Sequence, residues 1–192
     1  MNAAFKEFGK FGYAQASTNH ICKQYDISKG LLFYYFQNKE QLYITCVKKC
    51  FLEAQTCLTS QYQMGNSVEQ SIQNYFSLRT EFFKKYPDYR VIYCCTMFQT
   101  YPDLTEKLQA IVDEWNECRR NLLKNIFFDV SFKSTITIGQ AVDIIMEQND
   151  YLCMNIARLL RDNLENIEEI FQVHEEKFSF LIKILLYGMV CK

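Results

Sequence analysis

The sequence predicts an all-α fold, and three observations support this. The 192 residues include only 2 Pro and 6 Gly, too few turn-forming residues for a sheet with many turns. Apolar residues recur at three- and four-residue spacings along the chain, as Ala4, Phe8 and Phe11 do. Helix-start signals, in which a capping side chain is followed three residues later by an amide or acid, occur at Asn38/Gln41, Ser67/Gln70, Asp103/Glu106, Thr137/Gln140 and Asn166/Glu169.

Nine helices are predicted, and glycine and proline mark some of their ends. Gly12 closes the first helix, and Pro87 and Pro102 separate later helices because proline cannot donate within a helix interior. We place a domain boundary after residue 45, between a small domain at 1–45 and a larger helical domain at 46–192. The predicted helices lie near 2–11, 18–25, 29–36, 39–60, 67–85, 88–100, 103–128, 137–162 and 166–190.

The composition excludes disordered and membrane-spanning classes. Hydrophobic residues make up 49% of the chain and charged residues 22%, so the chain can form an ordinary core. No apolar run reaches the ~18–20 residues that a spanning helix needs. Lys6 and Glu7 interrupt the apolar N-terminus, which argues against a signal peptide and favours a cytoplasmic protein without a membrane partner.

Nine cysteines raise the question of redox or metal chemistry, but their spacing favours neither. Their number is odd and the chain has no C-x-x-C pair, so neither a disulfide framework nor a zinc site is indicated. Cys46, Cys50 and Cys57 fall on one helical stripe, which favours small buried side chains. We expect no metal and no cofactor, and a thiol sensor that uses Cys94 or Cys95 stays open.

Residues 17–42, STNHICKQYDISKGLLFYYFQNKEQL, carry the most specific pattern: two short helices joined by a tight turn. This is the arrangement of a helix-turn-helix, whose second helix enters the major groove of DNA. Thr18 is expected to cap the first helix and to offer its hydroxyl to a phosphate. Ile21 and Tyr25, one turn apart, are expected to face inward.

The second helix of this segment is the candidate reading helix. Ser28 caps it, and Leu32 and Phe36 anchor it to the core from positions one turn apart. Its other side is expected to face outward, where lysine, tyrosine and leucine side chains can meet phosphates, base edges or a thymine methyl. The candidate DNA-binding residues are Thr18, Ser28, Lys29, Gly30, Leu31, Phe33, Tyr34, Tyr35 and Lys39.

At these residues the chain resembles the TetR (tetracycline-repressor-like) family of bacterial transcriptional regulators. The resemblance runs from AAFKEFGKFGY at 3–13 through SKGLLFYYF at 28–36 to NKEQL at 38–42. It implies a homodimeric repressor on a palindromic DNA operator, associated with the bacterial nucleoid. It also implies a small apolar or amphipathic effector in the larger domain and a dimer bundle formed by the last two helices.

Three positions depart from the family pattern. Asp26 stands where the turn commonly has Gly, and Asp tolerates the left-handed conformation better than most residues. Phe33 stands where Tyr is frequent, so one phosphate-binding hydroxyl is absent. The first helix begins at Met1, where the family usually has a further basic turn. The domain is therefore expected either to be shortened at its start or to lack the N-terminal arm.

The charge of the chain is unevenly distributed. The formal net charge is −1, but residues 1–50 contain seven Lys and three acids, a net charge of +4. The remainder carries −5. A basic end of this kind supports DNA binding independently of the motif.

The larger domain supplies two further sets of candidate residues. Its aromatic side chains suit a core and also a pocket for a small molecule, and the apolar faces of its last two helices suit an interior or a dimer seam. Asp143, Glu147 and Asp150 form one acidic face, either solvated or turned toward a cationic ligand. Candidate ligand-binding residues are Tyr93, Met97, Trp115, Cys118, Tyr151 and Asn155. Candidate dimer-interface residues are Leu152, Ile156, Leu159, Phe171, His174, Phe178, Leu181 and Leu185.

Two alternatives to an effector-released repressor stay open. One is a thiol-based redox-sensing regulator, and the other is a helical ligand- or partner-binding protein with a non-functional helix-turn-helix. An enzyme is disfavoured because the sequence shows no convergent catalytic set and no glycine-rich phosphate loop.

Overall fold

The structure is a computed structural model in which residues 1–98, 101–133, 135–162 and 167–190 are described. Within these ranges the predicted all-α fold is confirmed, and no helix there is long and apolar enough to cross a bilayer. An isolated β-bridge joins Phe132 and Val190. The helices are α1 (Asn2–Gln15), α2 (Thr18–Gln24), α3 (Lys29–Phe36), α4 (Lys39–Gln61), α5 (Val68–Lys85), α6 (Pro87–Phe98), α7 (Pro102–Ile126), α8 (Ile138–Asp162) and α9 (Ile167–Met189).

Three of the predicted start signals cap their helices. Asn38 Oδ1 accepts a hydrogen bond from the Gln41 N–H at 2.8 Å, at the start of α4. Ser67 Oγ accepts a backbone N–H of α5 at 3.1 Å. Before α8 the exchange is reciprocal, because Thr137 Oγ1 accepts from the Gln140 N–H at 3.2 Å while Gln140 Oε1 accepts from the Thr137 N–H at 2.9 Å.

Other helix ends differ from the prediction or lie outside the described residues. Helix α7 begins at Pro102, a favoured first helical residue, so Asp103 lies in its first turn instead of capping it. The predicted cap Asn166 lies outside the described residues. Helix α1 extends to Gln15, but the backbone leaves the helical conformation at Gly12, the predicted end of the first helix, with a φ of 66° that glycine adopts without strain.

The chain divides into two compact units by its internal contacts. Unit 1 comprises residues 1–56 and 82–115, with α1 to α3, α6 and parts of α4, α5 and α7. Unit 2 comprises 57–81 and 116–192, with α8, α9 and the remaining parts of those three helices. Because this division groups α6 with the N-terminal helices, the boundary after residue 45 stays a prediction.

Aromatic side chains fill the core of unit 1. Phe51, Tyr93 and Trp115 come from α4, α6 and α7, with ring centroids 5.3 to 5.9 Å apart. The Trp115 indole N–H donates to Tyr93 Oη at 3.2 Å, which pairs two polar atoms in the core. Helix α1 packs so closely on α6 that a Cβ on Gly9 would lie 2.7 Å from Asp88 Oδ1.

Unit 2 combines aromatic stacking with paired buried charge. Phe76 of α5 and Phe178 of α9 stack with ring centroids 3.2 Å apart. The Arg119 side chain is 1% exposed and donates to both carboxylate oxygens of Asp150, at 2.6 and 2.8 Å. A buried guanidinium is tolerated because it has such a partner.

Candidate functional site

Local side chains build the turn between α2 and α3. Ser17 caps α2 in place of the predicted Thr18: its Oγ accepts the His20 N–H at 3.3 Å, and Thr18 is the first helical residue. Asp26 has a φ of 50°, the left-handed conformation predicted for it. The predicted Ser28 cap is confirmed, because Ser28 Oγ accepts a backbone N–H of α3 at 3.1 Å.

Helix α3 buries one side and exposes the other. Leu32 is buried and Phe36 half-buried, as expected for the anchoring residues. Tyr34 and Tyr35 are 80% and 69% exposed, with ring centroids 5.3 Å apart and nearly perpendicular planes. The exposed residues of α3, which we call the reading face, are Lys29, Gly30, Leu31, Tyr34 and Tyr35.

Two expected DNA contacts have partners inside the protein. Lys39 Nζ donates to the Ala14 carbonyl at 3.0 Å and lies 5.0 Å from the Tyr13 ring centroid, so it braces α4 against the end of α1. Phe33 is half-buried, with the Lys29 ammonium 5.8 Å from its ring centroid. A role for Lys39 and Phe33 in DNA binding stays a prediction.

One predicted core position of α2 is wrong. Ile21 is buried as predicted, but Tyr25 is 37% exposed. Helix α2 ends at Gln24, so Tyr25 no longer follows the helical spacing that placed it inward.

A buried carboxylate that the sequence pattern did not predict joins α1 to α2. Glu7 is 4% exposed; it accepts the Ser17 N–H at 2.8 Å, and its other oxygen lies 2.5 Å from His20 Nδ1. The available signal was a charged residue within the apolar spacing of α1, next to Phe8. A buried acid at such a position needs hydrogen-bond donors from a neighbouring element, and α2 supplies them.

A cavity of about 260 Å³ lies at the end of α6 and the start of α7, within unit 1. Thr96, Met97, Tyr101 and Thr105 contribute to its lining, and all of the described lining side chains are uncharged. The Thr96 and Thr105 hydroxyls donate to carbonyls of the preceding turn at 2.8 and 2.9 Å. The cavity therefore suits a small uncharged molecule.

The expected ligand-binding residues do not come together. Met97 lines the cavity, but Tyr93 and Trp115 are each 1% exposed and hydrogen-bonded to each other in the core of unit 1. In unit 2, Cys118 and Asn155 are half-buried and Tyr151 is 57% exposed. The aromatic spacing that predicted a pocket describes core packing at Tyr93 and Trp115.

Known proteins share both the N-terminal sequence and the fold. Residues 1–46 match the family described as "Bacterial regulatory proteins, tetR family". HTH-type transcriptional regulator RutR from Escherichia coli (strain K12) is 28% identical over 118 residues, which cover 59% of this chain and 55% of RutR. Over these residues the chain is similar to regulators of the TetR family. Its alignment with RutR spans about half the length of that curated relative.

Two solved structures share the TetR-family fold over most of this chain. A TetR family transcriptional regulator from Chloroflexus aurantiacus has a TM-score of 0.72 and 18% identity, covering 100% of this chain and 91% of that chain. FadR from Bacillus subtilis, solved in complex with stearoyl-CoA, has a TM-score of 0.70 and 15% identity, covering 90% and 94%. At these identities the likeness concerns the fold alone. TetR-family regulators are in general non-enzymatic DNA-binding proteins.

Three of the eight predicted dimer residues are buried, and all three lie on α9. Phe171, His174 and Phe178 are buried within unit 2, and His174 Nδ1 lies 2.8 Å from the Ile170 carbonyl. Leu159 is 42% exposed. The remaining four are half-buried: Leu152, Ile156, Leu181 and Leu185.

A different row of apolar side chains is exposed on the same two helices. Phe180 and Tyr187 are 67% and 73% exposed, and Ile184 lies between them on the same side of α9. Large exposed apolar surfaces mark interaction sites more often than isolated exposed residues do. We call this surface the α8–α9 stripe; it consists of Tyr151, Met154, Leu159, Val173, Phe180, Ile184 and Tyr187.

The buried thiols behave as core side chains. Cys46 and Cys50 are 0% exposed; burial raises the pKa of the Cys46 thiol to about 12 and holds that of Cys50 well above its ordinary value. Burial also raises the pKa of Cys153. Such thiols stay protonated and unreactive near neutral pH. The described part of the chain holds no group of three or more His, Cys, Asp or Glu arranged to bind a metal.

The acidic face predicted on α8 is largely paired. Asp143 bonds Arg120, and Asp150 bonds Arg119. Glu147 is exposed. Two of the three carboxylates that were expected to face either solvent or a cationic ligand are thus paired with neighbouring arginines.

Proposed function

We propose that this chain is a DNA-binding transcriptional regulator that acts as a homodimer and is released from a palindromic operator by a small effector. The observation that carries the proposal is the reading face of α3. A helix that exposes two tyrosines, a lysine and a glycine while Leu32 anchors it has the form of a recognition helix. The proposal includes no catalytic step, and the protein acts in the cytoplasm, where its DNA lies.

The contacts follow from the chemistry of the reading face. Lys29 and the tyrosine hydroxyls can reach phosphates, which position the helix without reading sequence. Tyr34 and Leu31 can approach base edges, where Leu31 has the apolar character that a thymine methyl prefers. Gly30 has no neighbouring atom within 4 Å of where its Cβ would lie, so the backbone is open to close approach there.

The α8–α9 stripe supports the homodimer. A twofold dimer uses the same patch on both copies, and an apolar row along two helices is self-complementary. Two such pairs form a four-helix bundle. We therefore assign the dimer interface to the exposed α8–α9 stripe. Leu159 is the one stripe residue that the sequence also predicted for the interface. Phe171, His174 and Phe178 instead belong to the core of each copy.

The α6–α7 cavity supports an uncharged effector. Tyr101, which lines the cavity, has its ring centroid 5.8 Å from that of Tyr13 near the end of α1, and Lys107 of α7 bonds Glu40 at the start of α4 at 2.7 Å. An effector that fills the cavity can act on the helices around the reading helix through these contacts. It lowers DNA affinity if it prefers a dimer whose reading helices do not match the half-site spacing.

DNA binding is tested by fluorescence anisotropy with a duplex from immediately upstream of the chain's own gene and an unrelated duplex of equal length. We expect tighter binding to the upstream duplex. We also expect log K to fall linearly with log salt, with a slope of about −0.9 per neutralised phosphate. Tyr34→Ala should weaken binding by about tenfold or more. Phe128→Ala, which removes an aromatic ring that is 78% exposed outside α3, should not.

Absent binding, or equal salt-independent binding to both duplexes, contradicts the proposal and favours a helix-turn-helix that no longer binds DNA. Equal losses for Tyr34→Ala and Phe128→Ala contradict the assignment of the reading face. For the effector, Met97→Trp should fill the cavity, so that a compound that releases the wild-type protein from DNA no longer releases the variant. Release of that variant at wild-type concentrations contradicts the cavity assignment.

A further inference from the structure

Glu7, Ser17 and His20 form a hydrogen-bonded group at the first turn of α2. The Glu7 side chain is 3% exposed and accepts from the Ser17 N–H at 2.8 Å, while its second oxygen lies 2.5 Å from His20 Nδ1. The His20 side chain is 52% exposed. One edge of the imidazole is therefore tied to a buried acid while the rest of the ring reaches the surface.

The contact with Glu7 fixes which nitrogen of His20 carries a proton. An ionised carboxylate only accepts hydrogen bonds, so Nδ1 must donate and keeps its hydrogen in either charge state of the ring. In the neutral ring Nε2 is then an acceptor, and in the imidazolium it is a donor. Within the described residues, His20 Nε2 makes no hydrogen bond.

The position of α2 gives this nitrogen a partner if the chain binds DNA. In a helix-turn-helix the first of the two helices crosses the DNA backbone. A neutral His20 would present a lone pair to a phosphate, with the Glu7 charge behind it. The imidazolium instead presents an N–H and cancels the Glu7 charge. A phosphate therefore favours the protonated ring.

We propose that His20 is a phosphate-contacting residue that works as the imidazolium, so that DNA binding takes up a proton, and that Glu7 is the residue that positions it. This inference rests on the proposed DNA-binding function. Glu7 does not touch DNA; it acts through His20 and through the first turn of α2.

Other charged groups of the same helices form the background to this titration. Lys10 of α1 lies 5.1 Å from the Phe11 ring centroid, and that ring meets His20 edge-on. Burial lowers the pKa of Lys39 on α4, and the Glu7 carboxylate opposes that shift. Lys23 and Asp26 lie on and just after α2, and Lys29 begins α3. A comparison that changes only the histidine separates its titration from theirs.

The test measures the dissociation constant of the full chain at pH 6 and pH 8, across a salt series, on the upstream duplex and on the unrelated duplex. Histidine changes charge between about pH 5 and 8. We expect wild-type affinity to be about three- to tenfold higher at pH 6, the effect of one partly exposed charged contact. The salt slope should be steeper at pH 6 by about 0.9 per protomer. Both effects should occur on both duplexes, because phosphate contacts do not depend on sequence.

Three variants make the result specific. His20→Gln should lose the pH dependence of both affinity and slope. His174→Gln, which changes the only other histidine, should keep the wild-type ratio. Glu7→Gln retains an acceptor for the Ser17 N–H but removes the carboxylate that accepts from His20 Nδ1, so it should reduce the ratio of the affinities at pH 6 and pH 8, which a purely structural role would leave unchanged.

Each other outcome overturns the inference. Binding that is equal at pH 6 and pH 8 contradicts it while leaving the proposed function intact. A His20→Gln protein that keeps the pH dependence assigns the proton to another group. No DNA binding at either pH overturns the proposed function and this inference together.

Discussion

The reading face of α3 and the α8–α9 stripe both expose large apolar side chains, but they differ in length and chemistry. Helix α3 has 8 residues and lies in the segment of net charge +4, with Tyr34 and Tyr35 presenting hydroxyls. The stripe follows two helices of 25 and 23 residues in the segment of net charge −5. Its α9 part alone, from Val173 to Tyr187, runs for about 21 Å.

This difference shows what distinguishes a DNA-reading surface from a protein-pairing surface. A short amphipathic face with hydroxyls and lysine can satisfy phosphates and base edges, which remain polar in the complex. A long, continuous apolar row can only be covered by another apolar surface. We therefore assign DNA to the reading face and a second copy of the chain to the α8–α9 stripe, and we expect substitutions at each surface to act separately.

The largest expected effect is on the stripe. Phe180→Glu places a charge in the centre of the proposed seam and should weaken dimerisation by about 100-fold or more, as at a central interface residue. Sedimentation equilibrium measures the dimer constant. Phe128→Glu, at a phenylalanine of similar exposure outside the stripe, is the control. Equal effects of the two changes, or a wild-type chain that is monomeric at every concentration, would refute the assignment of the seam.

The next largest effect comes from the same substitution, Gly to Ala, made once on the reading helix and once on α9. Gly30 on α3 and Gly188 on α9 both have open space where a Cβ would lie, so Ala at either should stabilise its helix by about 0.5–1 kcal/mol. Gly30→Ala should nevertheless weaken DNA binding by about tenfold, because the new methyl meets the duplex. Gly188→Ala should leave DNA affinity unchanged. Urea unfolding measures the change in stability, and fluorescence anisotropy measures the change in DNA affinity. An unchanged DNA affinity in Gly30→Ala would argue against close approach of the duplex to Gly30.

The smallest effect concerns buried thiols, which the redox-sensor alternative would connect to DNA binding. Burial raises the pKa of Cys46, Cys50 and Cys153, so the folded state holds these protons more tightly than the unfolded state. Their contribution to stability is present below about pH 8.5 and is lost as pH rises above it. For Cys46, whose pKa burial raises to about 12, the free energy of unfolding should fall by about 1 kcal/mol between pH 8 and 9.5, and the other two thiols should add to the fall.

Urea unfolding at these pH values measures the fall, and Cys46→Ala should make it shallower. Stability that is flat or rises with pH would show that these thiols ionise as readily in the fold as outside it. Mild oxidation should leave both dimerisation and DNA affinity unchanged; a reversible loss of DNA binding that a change at Cys94 or Cys95 abolishes would instead support the redox sensor.

The sequence predicted the helix-turn-helix because its signals are local. The Ser28 cap, the left-handed Asp26 and the anchoring Leu32 each depend on neighbours within one or two turns. Even there, two details differ from the prediction. Ser17, one residue before Thr18, caps α2, and Tyr25 is exposed because α2 ends at Gln24.

The larger domain could not be predicted in the same detail, because helical spacing does not identify the partner of an apolar face. Helix α9 has apolar residues on two sides, and Phe76 stacks on Phe178, which assigns that side to the interior. The Tyr93 and Trp115 spacing likewise fits a core as well as a pocket, and their mutual hydrogen bond lies in the core. The burial of Glu7 could not be predicted from local spacing, because its hydrogen-bond donors lie at the start of another helix.

The most direct test of this division between the two surfaces is a hydroxyl-radical footprint of the wild-type chain on the upstream duplex. We predict two protected half-sites related by a twofold axis, with centres ~34–36 Å apart, one helical turn, or a multiple of that distance. Phe180→Glu should lose the paired pattern at protein concentrations that saturate the wild type. A single unpaired site, uniform protection along the duplex, or a paired footprint that survives in Phe180→Glu would contradict the account.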